Sequence, residues 1–197
     1  LALNLDAFVA GNIEAVNPRI ALTVQLSSGY SYNAQRQQVP SYETPCSFEG
    51  SLSGTELTAS VVSSGYLRAL QTISGASVAA GTVIASQTSG PPGGAGVYQV
   101  NIAQDVSSEA MTSALILPGQ VQPLQYKDLM QIDGMNLNGT RKKIYLYGVV
   151  EATVRVLEKG GSLIQDPYGN TWLVAVVVEQ WYHDRWCAVL CTLQNGS

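Results

Sequence analysis

Charge is what this sequence has least of: ten Lys and Arg and fourteen Asp and Glu among 197 residues, 12% in all, about half the usual share for a soluble chain. With 46% apolar residues the chain is no disordered polymer and can bury a core without staples. A surface so poor in charge points to an assembly subunit partly covered by partners, with Ser, Thr, Gln and Asn supplying the remaining polarity. A basic surplus is also missing. The net charge of -4 argues against general binding to phosphate backbones, which needs a basic face, and leaves room only for a local basic patch.

Histidine occurs once, as His183, and cysteine three times, as Cys46, Cys187 and Cys191. An odd number of cysteines without CxxC spacing argues against a secreted disulfide scaffold and suits a reducing compartment. The set Cys46, His183, Cys187 and Cys191 follows no zinc pattern, and no activating motif surrounds a pairing of His183 with either neighbouring thiol. On a strand Cys187, Val189 and Cys191 share one face, which reads as two small core thiols beside a surface histidine. Long hydrophobic runs are absent too. The longest, Trp172 to Val178, falls far short of the roughly 20 residues that span a bilayer, so no membrane contact is expected. The opening LALNLDAFVAG lacks a basic stretch and is broken by Asp6, so it does not read as a signal peptide.

A catalytic inventory is equally hard to assemble. Glu151, Glu158, Asp166, Glu179 and Asp184 fall on different strands and turns, so no two can be placed as an acid-base pair. Gly93-Gly94-Ala95-Gly96 has no following Lys-Ser or Lys-Thr and opens no helix, which makes it a turn rather than a phosphate cradle. Asn138-Gly139-Thr140 and Asn195-Gly196-Ser197 match the glycosylation sequon, but Asn-Gly is also a favoured tight-turn dipeptide. No enzyme activity, cofactor or metal site is expected.

What is present is β-structure. From Gly50 to Ser113 the only charged residues are Glu56, Arg68, Asp105 and Glu109. The runs Glu56–Ser60, Thr82–Ser86 and Val97–Ile102 are separated there by Gly65, Gly75, Gly81 and the Gly-Pro cluster from Gly90 to Gly96. Short β-branched runs between Gly and Pro are short antiparallel strands, so residues 50–113 are expected to form an inserted glycine-rich β-module. Residues 1–49 and 114–197 form the parent domain. Strand alternation appears at Arg19–Ser27 and Leu115–Leu124, and a short helix or turn is expected at Tyr126–Ile132. A meander follows through Lys143–Tyr147, Val149–Val156, Ser162–Gln165, Thr171–Gln180 and Arg185–Leu193. Asp166-Pro167-Tyr168-Gly169-Asn170 suits a hairpin, with Pro fixing φ and Gly supplying positive φ. The expected fold class is all-β: a small antiparallel barrel or sandwich carrying the inserted module.

Two stretches carry a resemblance. The insert resembles a glycine-rich β-module of phage structural proteins through Gly65, Leu67, Ile73, Gly75, Val78, Gly81, Thr82, Ile84, Gly93, Gly94, Gly96, Tyr98, Val100, Gln104, Val106, Ser107, Ser108 and Met111. Pro91 and Pro92 depart from the usual glycine-rich turn. The flanks resemble head-tail connector or collar proteins of contractile-tailed phages. The matching residues are the Ser28-Gly29-Tyr30 turn, Leu137 to Lys142, the Lys159-Gly160-Gly161 turn, Trp172-Leu173-Val174 and Glu179-Gln180-Trp181. The resemblance implies a virion protein of the neck, made in the host cytoplasm. Six copies would form a ring, with twelve as the alternative, stacked on portal-adaptor, neck and tail proteins around the DNA passage, and the insert would project outward. The runner-up is a tail-tip or fibre module that recognises a host-surface ligand.

Two further groups bear on such a role. Arg141, Lys142 and Lys143 form the only basic run, suited to a DNA channel or an acidic neighbour at a strand entrance, or to plain solvent. Among Trp172, Trp181, Trp186, Tyr145, Tyr147, Tyr168 and Tyr182 most are expected in the core, with Tyr182 and Trp186 as candidate interface anchors.

Overall fold

The computed structural model describes residues 17–124, 140–148, 150, 160–181 and 186–194. The helix or turn expected at Tyr126–Ile132, the strand at Val149–Val156 apart from Val150, and Tyr182 and His183 lie outside these residues. The chain divides into two compact units. The first comprises Leu1–Leu22, Gly29–Pro40 and Leu117–Ser197, and the second Thr23–Ser28 and Ser41–Ile116. All regular structure among the described residues is β-strand.

The chain enters through β1 (Ile20–Gln25) and then makes a ribbon of β2 (Ser27–Tyr32) and β3 (Gln38–Tyr42). The Ser28-Gly29-Tyr30 turn read from the sequence is not there: Gly29 has φ +105° but sits inside β2. The reversal falls at residues 33–37, where the Asn33 side chain accepts hydrogen bonds from the backbone N–H groups of Gln35 and Gln37 (3.0 and 2.9 Å). Asn makes that local bond readily, so it, and not the glycine, sets the turn.

The second unit contains β4 (Cys46–Ser53), β5 (Glu56–Ser64), β6 (Gln71–Gly75), β7 (Ile84–Ser89), β8 (Gly96–Val100) and the first part of the seventeen-residue β9 (Val106–Gln122). Pairing runs antiparallel from β9 to β4, β5, β8 and β7, while β6 takes the other edge of β9. A bridge between Thr72 and Val83, with Ile73 N–H donating to Thr82 O at 2.8 Å, joins β6 to the start of β7. The cycle of pairings therefore meets at this one bridge, beyond which the outer edge of β7 has no ladder partner among the described residues. Alternation fills the interior: Cys46, Phe48, Leu52, Leu57, Ala59, Leu67, Ile73, Ile84, Tyr98, Val100, Val106 and Met111 form one buried cluster. Two glycines are required by close approach of backbone. A Cβ on Gly96 would lie 2.2 Å from Ser89 O, and one on Gly65 (φ +74°) 2.8 Å from Cys46 Cα.

The first unit adds β10 (Arg141–Leu146), β11 (Leu163–Gln165), β12 (Thr171–Trp181) and β13 (Trp186–Leu193). The pairing order is β1, β11, β12, β13, β10, β9, and β1 also pairs with β9, so this cycle closes. Leu22, Ile144, Leu146, Ile164, Trp172, Val174, Cys187, Val189 and Cys191 are buried here. The β11–β12 hairpin turns at Asp166–Asn170 with Gly169 at φ +84°, as the turn chemistry of that pentapeptide requires.

Candidate interaction face

Strand β10 places the basic run at its start, and alternation splits it. Arg141, Lys143 and Tyr145 leave one face, and Lys142 leaves the other together with the core residues Ile144 and Leu146. Lys143 is 6% exposed, while Arg141 and Lys142 are half-buried. The three cations therefore do not form one exposed stripe. Lys143 Nζ lies 5.3 Å from the centre of the Tyr145 ring, within cation–π range. Tyr145 in turn meets Trp186 at 5.6 Å between ring centres, tilted by 30°, an offset geometry that favours aromatic pairs. Trp186 stands opposite Trp181 across the β12–β13 ladder, so the two share a face. The structure thus joins Lys143, from the basic run, and Trp186, from the candidate anchors, through Tyr145.

Exposure along this row is uneven. Trp181 is 60% exposed, and Trp186 and Tyr145 are half-buried. Tyr168, at the tip of the β11–β12 turn, is 79% exposed. The expectation that most aromatics of this half are core therefore fails for Trp181 and Tyr168 and holds for Trp172. Composition reports how many rings there are, whereas strand phase and turn position decide where they point. β13 is buried on both faces, from Cys187 to Thr192.

Chemically the three thiols are held back. Burial pushes the Cys187 thiol up to about 11, and it raises Cys191, with the Cys187 charge adding to the effect. Cys46 is also raised by burial, against an opposing hydrogen bond from Ser113. Thiolate is the reactive form, so all three should be inert in the folded protein. We expect native Cys187 to react with a thiol reagent at pH 7 roughly a hundredfold or more slower than a free thiol, and all three cysteines to react at once in denaturant. Fast native labelling of either β13 thiol would contradict this.

In the second unit, side-chain amides hold the loops. Gln71 Oε1 accepts from Arg68 N–H and Ser113 Oγ (both 3.0 Å), and Gln71 Nε2 donates to Tyr66 O (2.9 Å). Gln104 accepts from Ala79 N–H (2.8 Å) and donates to Thr82 Oγ1 (2.7 Å). Asn101 accepts from Val83 N–H (2.7 Å) and donates to Gly81 O (3.1 Å), while Gln87 clamps Gly93 and Pro91 across the glycine-proline turn. Sequence reasoning missed these clamps, apart from Gln104 as part of a pattern, because polar amides carry no periodic signal. The loop 65–70 also presents Tyr66 (63% exposed) and Leu70 (43% exposed, φ +73°) beside an ion pair of Arg68 with Glu43. The notch at that pair, lined by Thr23, Gln25, Thr44 and Gln71 among others, is polar and shallow.

Most residues of the insert pattern have a structural task. Leu67, Ile73, Ile84, Tyr98, Val100, Val106 and Met111 are core, Gly65, Gly81 and Gly93 have positive φ, and Thr82 and Gln104 form one clamp. Ser107 and Ser108 are exposed, and nothing in the structure explains them. Comparison of the chain with protein-family models, with curated proteins and with solved structures finds no match.

Proposed function

We propose that the chain is a structural, non-catalytic subunit of a tailed-phage particle that forms an oligomeric ring in the neck, between head and tail, around the DNA passage. One observation carries the reading: the face on which Trp181, Trp186, Tyr145 and Lys143 run together, with a 60% exposed tryptophan at its end. Exposed Trp beside half-buried aromatics is the composition of an interface anchor. The low charge content and the resemblance of insert and flanks to phage structural proteins point the same way. Six copies, or twelve, would close a ring, with neighbouring neck, portal-adaptor and tail proteins above and below.

Sedimentation of the full chain tests this. The wild type should form a closed oligomer, and replacing both Trp181 and Trp186 by Ala should weaken association by about 2 kcal/mol or more, roughly thirtyfold, while the subunit stays folded. A wild type that remains monomeric at every concentration sinks the ring. The exposed Tyr66 and Leu70 favour a second reading, a tail-tip or fibre module binding a host-surface ligand, and a particle reconstruction with the chain only at fibre tips would decide for it.

A further inference from the structure

We propose that the Tyr168 turn of one copy docks on the Trp181, Trp186 and Tyr145 face of the next, joining copies head to tail; this rests on the ring-subunit reading and names what covers that face. Tyr168 and Trp181 both belong to the first unit but lie at opposite ends of one strand. β12 runs eleven residues, from Thr171 just after the turn to Trp181, a span on the order of 30 Å at the usual rise per residue. No subunit can therefore bring its own Tyr168 onto its own Trp181. A ring closes through a contact of that kind, between two different patches that meet only across copies.

The turn is built as a knob. Among the described large apolar side chains Tyr168 is the most exposed, yet its backbone is held. The Asp166 carboxylate accepts from the N–H groups of Tyr168 and Asn170, and the Asp166 N–H donates to Asn170 O at 3.0 Å. A tyrosine ring on a fixed backbone has little freedom to lose on docking. The opposite end is a plate: Trp181 and Trp186 stand side by side and Tyr145 meets Trp186, rings that favour tilted contact with another ring. Charge agrees with the direction. Glu179 is exposed on the plate's face, two residues before Trp181, and Arg19 at that end is half-buried over the Tyr147 ring. Arg141 stands beside Thr192, and Thr192 beside Leu173, so the basic run begins at the turn end of β12. Head-to-tail approach brings the carboxylate end of one copy toward the basic end of the next, which steers encounter in that sense.

The experiment uses the full chain as wild type, Y168A, W181A and the double variant, read by sedimentation velocity over a concentration series and by melting in dilute solution. Both side chains are exposed, so the four chains should melt alike. Each single change should weaken self-association about tenfold, and the double change also only about tenfold, because one contact is lost once. Mixing Tyr168→Ala with Trp181→Ala should give dimers that neither forms alone at the same concentration, since the first keeps the plate and the second the knob. If Tyr168→Ala assembles as wild type does while Trp181→Ala weakens, the plate meets something other than the knob, and the proposal falls while the ring stands. Losses that add in the double variant, or that come only with a lowered melting temperature, overturn it too. A wild type that never assembles overturns the knob, the plate and the ring together.

Discussion

Tyr98→Ala should cost the second unit about 3–5 kcal/mol and remove its cooperative transition in urea, where Tyr98→Phe should cost only about 1 kcal/mol. Among the described residues Tyr98 is the largest fully buried side chain, and it lies in the cluster with Leu57, Ile73, Ile84 and Met111. Its ring comes from β8, which pairs with both β5 and β7, so the cavity left by Ala opens in the middle of the cycle of strands. Backbone packed on all sides relaxes little, and the void remains. The phenol O–H donates to Gly94 O at 2.5 Å, which ties the glycine-proline turn to the core. Phe loses that bond and keeps the packing. If the two variants melt alike, the hydroxyl and not the ring dominates, and the account of the core is wrong.

Asp166→Ala should destabilise the first unit by about 3 kcal/mol, because several donors lose one acceptor at once. The carboxylate is 7% exposed and accepts from Tyr168 N–H (3.0 Å), Asn170 N–H (2.9 Å), Asn170 Nδ2 (2.9 Å) and Trp172 Nε1 (3.0 Å). Trp172 is 4% exposed, so its indole N–H would be left without a partner. Burial alone would raise the Asp166 pKa; the bonds from Trp172, Asn170 and Tyr168 outweigh it and leave the carboxyl below its ordinary value. The folded state therefore prefers the ionised form. The stability this contributes is fully present above the unfolded pKa of about 3.9 and is lost as pH falls through the folded value. Asp166→Ala should flatten that acid limb of the stability curve, measured by denaturant titration from pH 2 to 6. An unchanged acid limb would remove Asp166 from its cause.

Much of the fold was legible where the signal is local. Ile20–Gln25, Glu56–Ser64, Arg141–Leu146 and Thr171–Trp181 are strands because β-branched and aromatic residues crowd there, and Asp166–Asn170 turns because Pro, Gly and Asp each fix a torsion or a bond. Cys46–Ser53 was missed although Cys46, Phe48, Gly50 and Leu52 alternate inward, since Gly50 reads as a break. It is a place where the Phe48 ring and Thr58 O come within 3.0 Å of where a Cβ would sit. The first half of β9 was missed as a strand because Ser, Glu, Ala and Thr carry little β signal and only pairing on both edges makes them one. At the candidate face, the sequence offered Lys143 and Trp186 as separate suggestions. Their meeting through Tyr145 depends on the β10–β13 register, which no local pattern encodes.

Gln71, Gln87, Asn101 and Gln104 hold the second unit's loops with neutral amides. A neutral amide neither titrates nor draws a counterion atmosphere. Between dilute buffer and molar salt, a Debye length shrinks from tens of ångströms to a few, and a half-buried ion pair such as Arg68 with Glu43 weakens accordingly. The amide clamps feel almost none of that. The loops held by these amides are thus built to keep one shape across changes of salt that would loosen a charge-stitched domain of the same size.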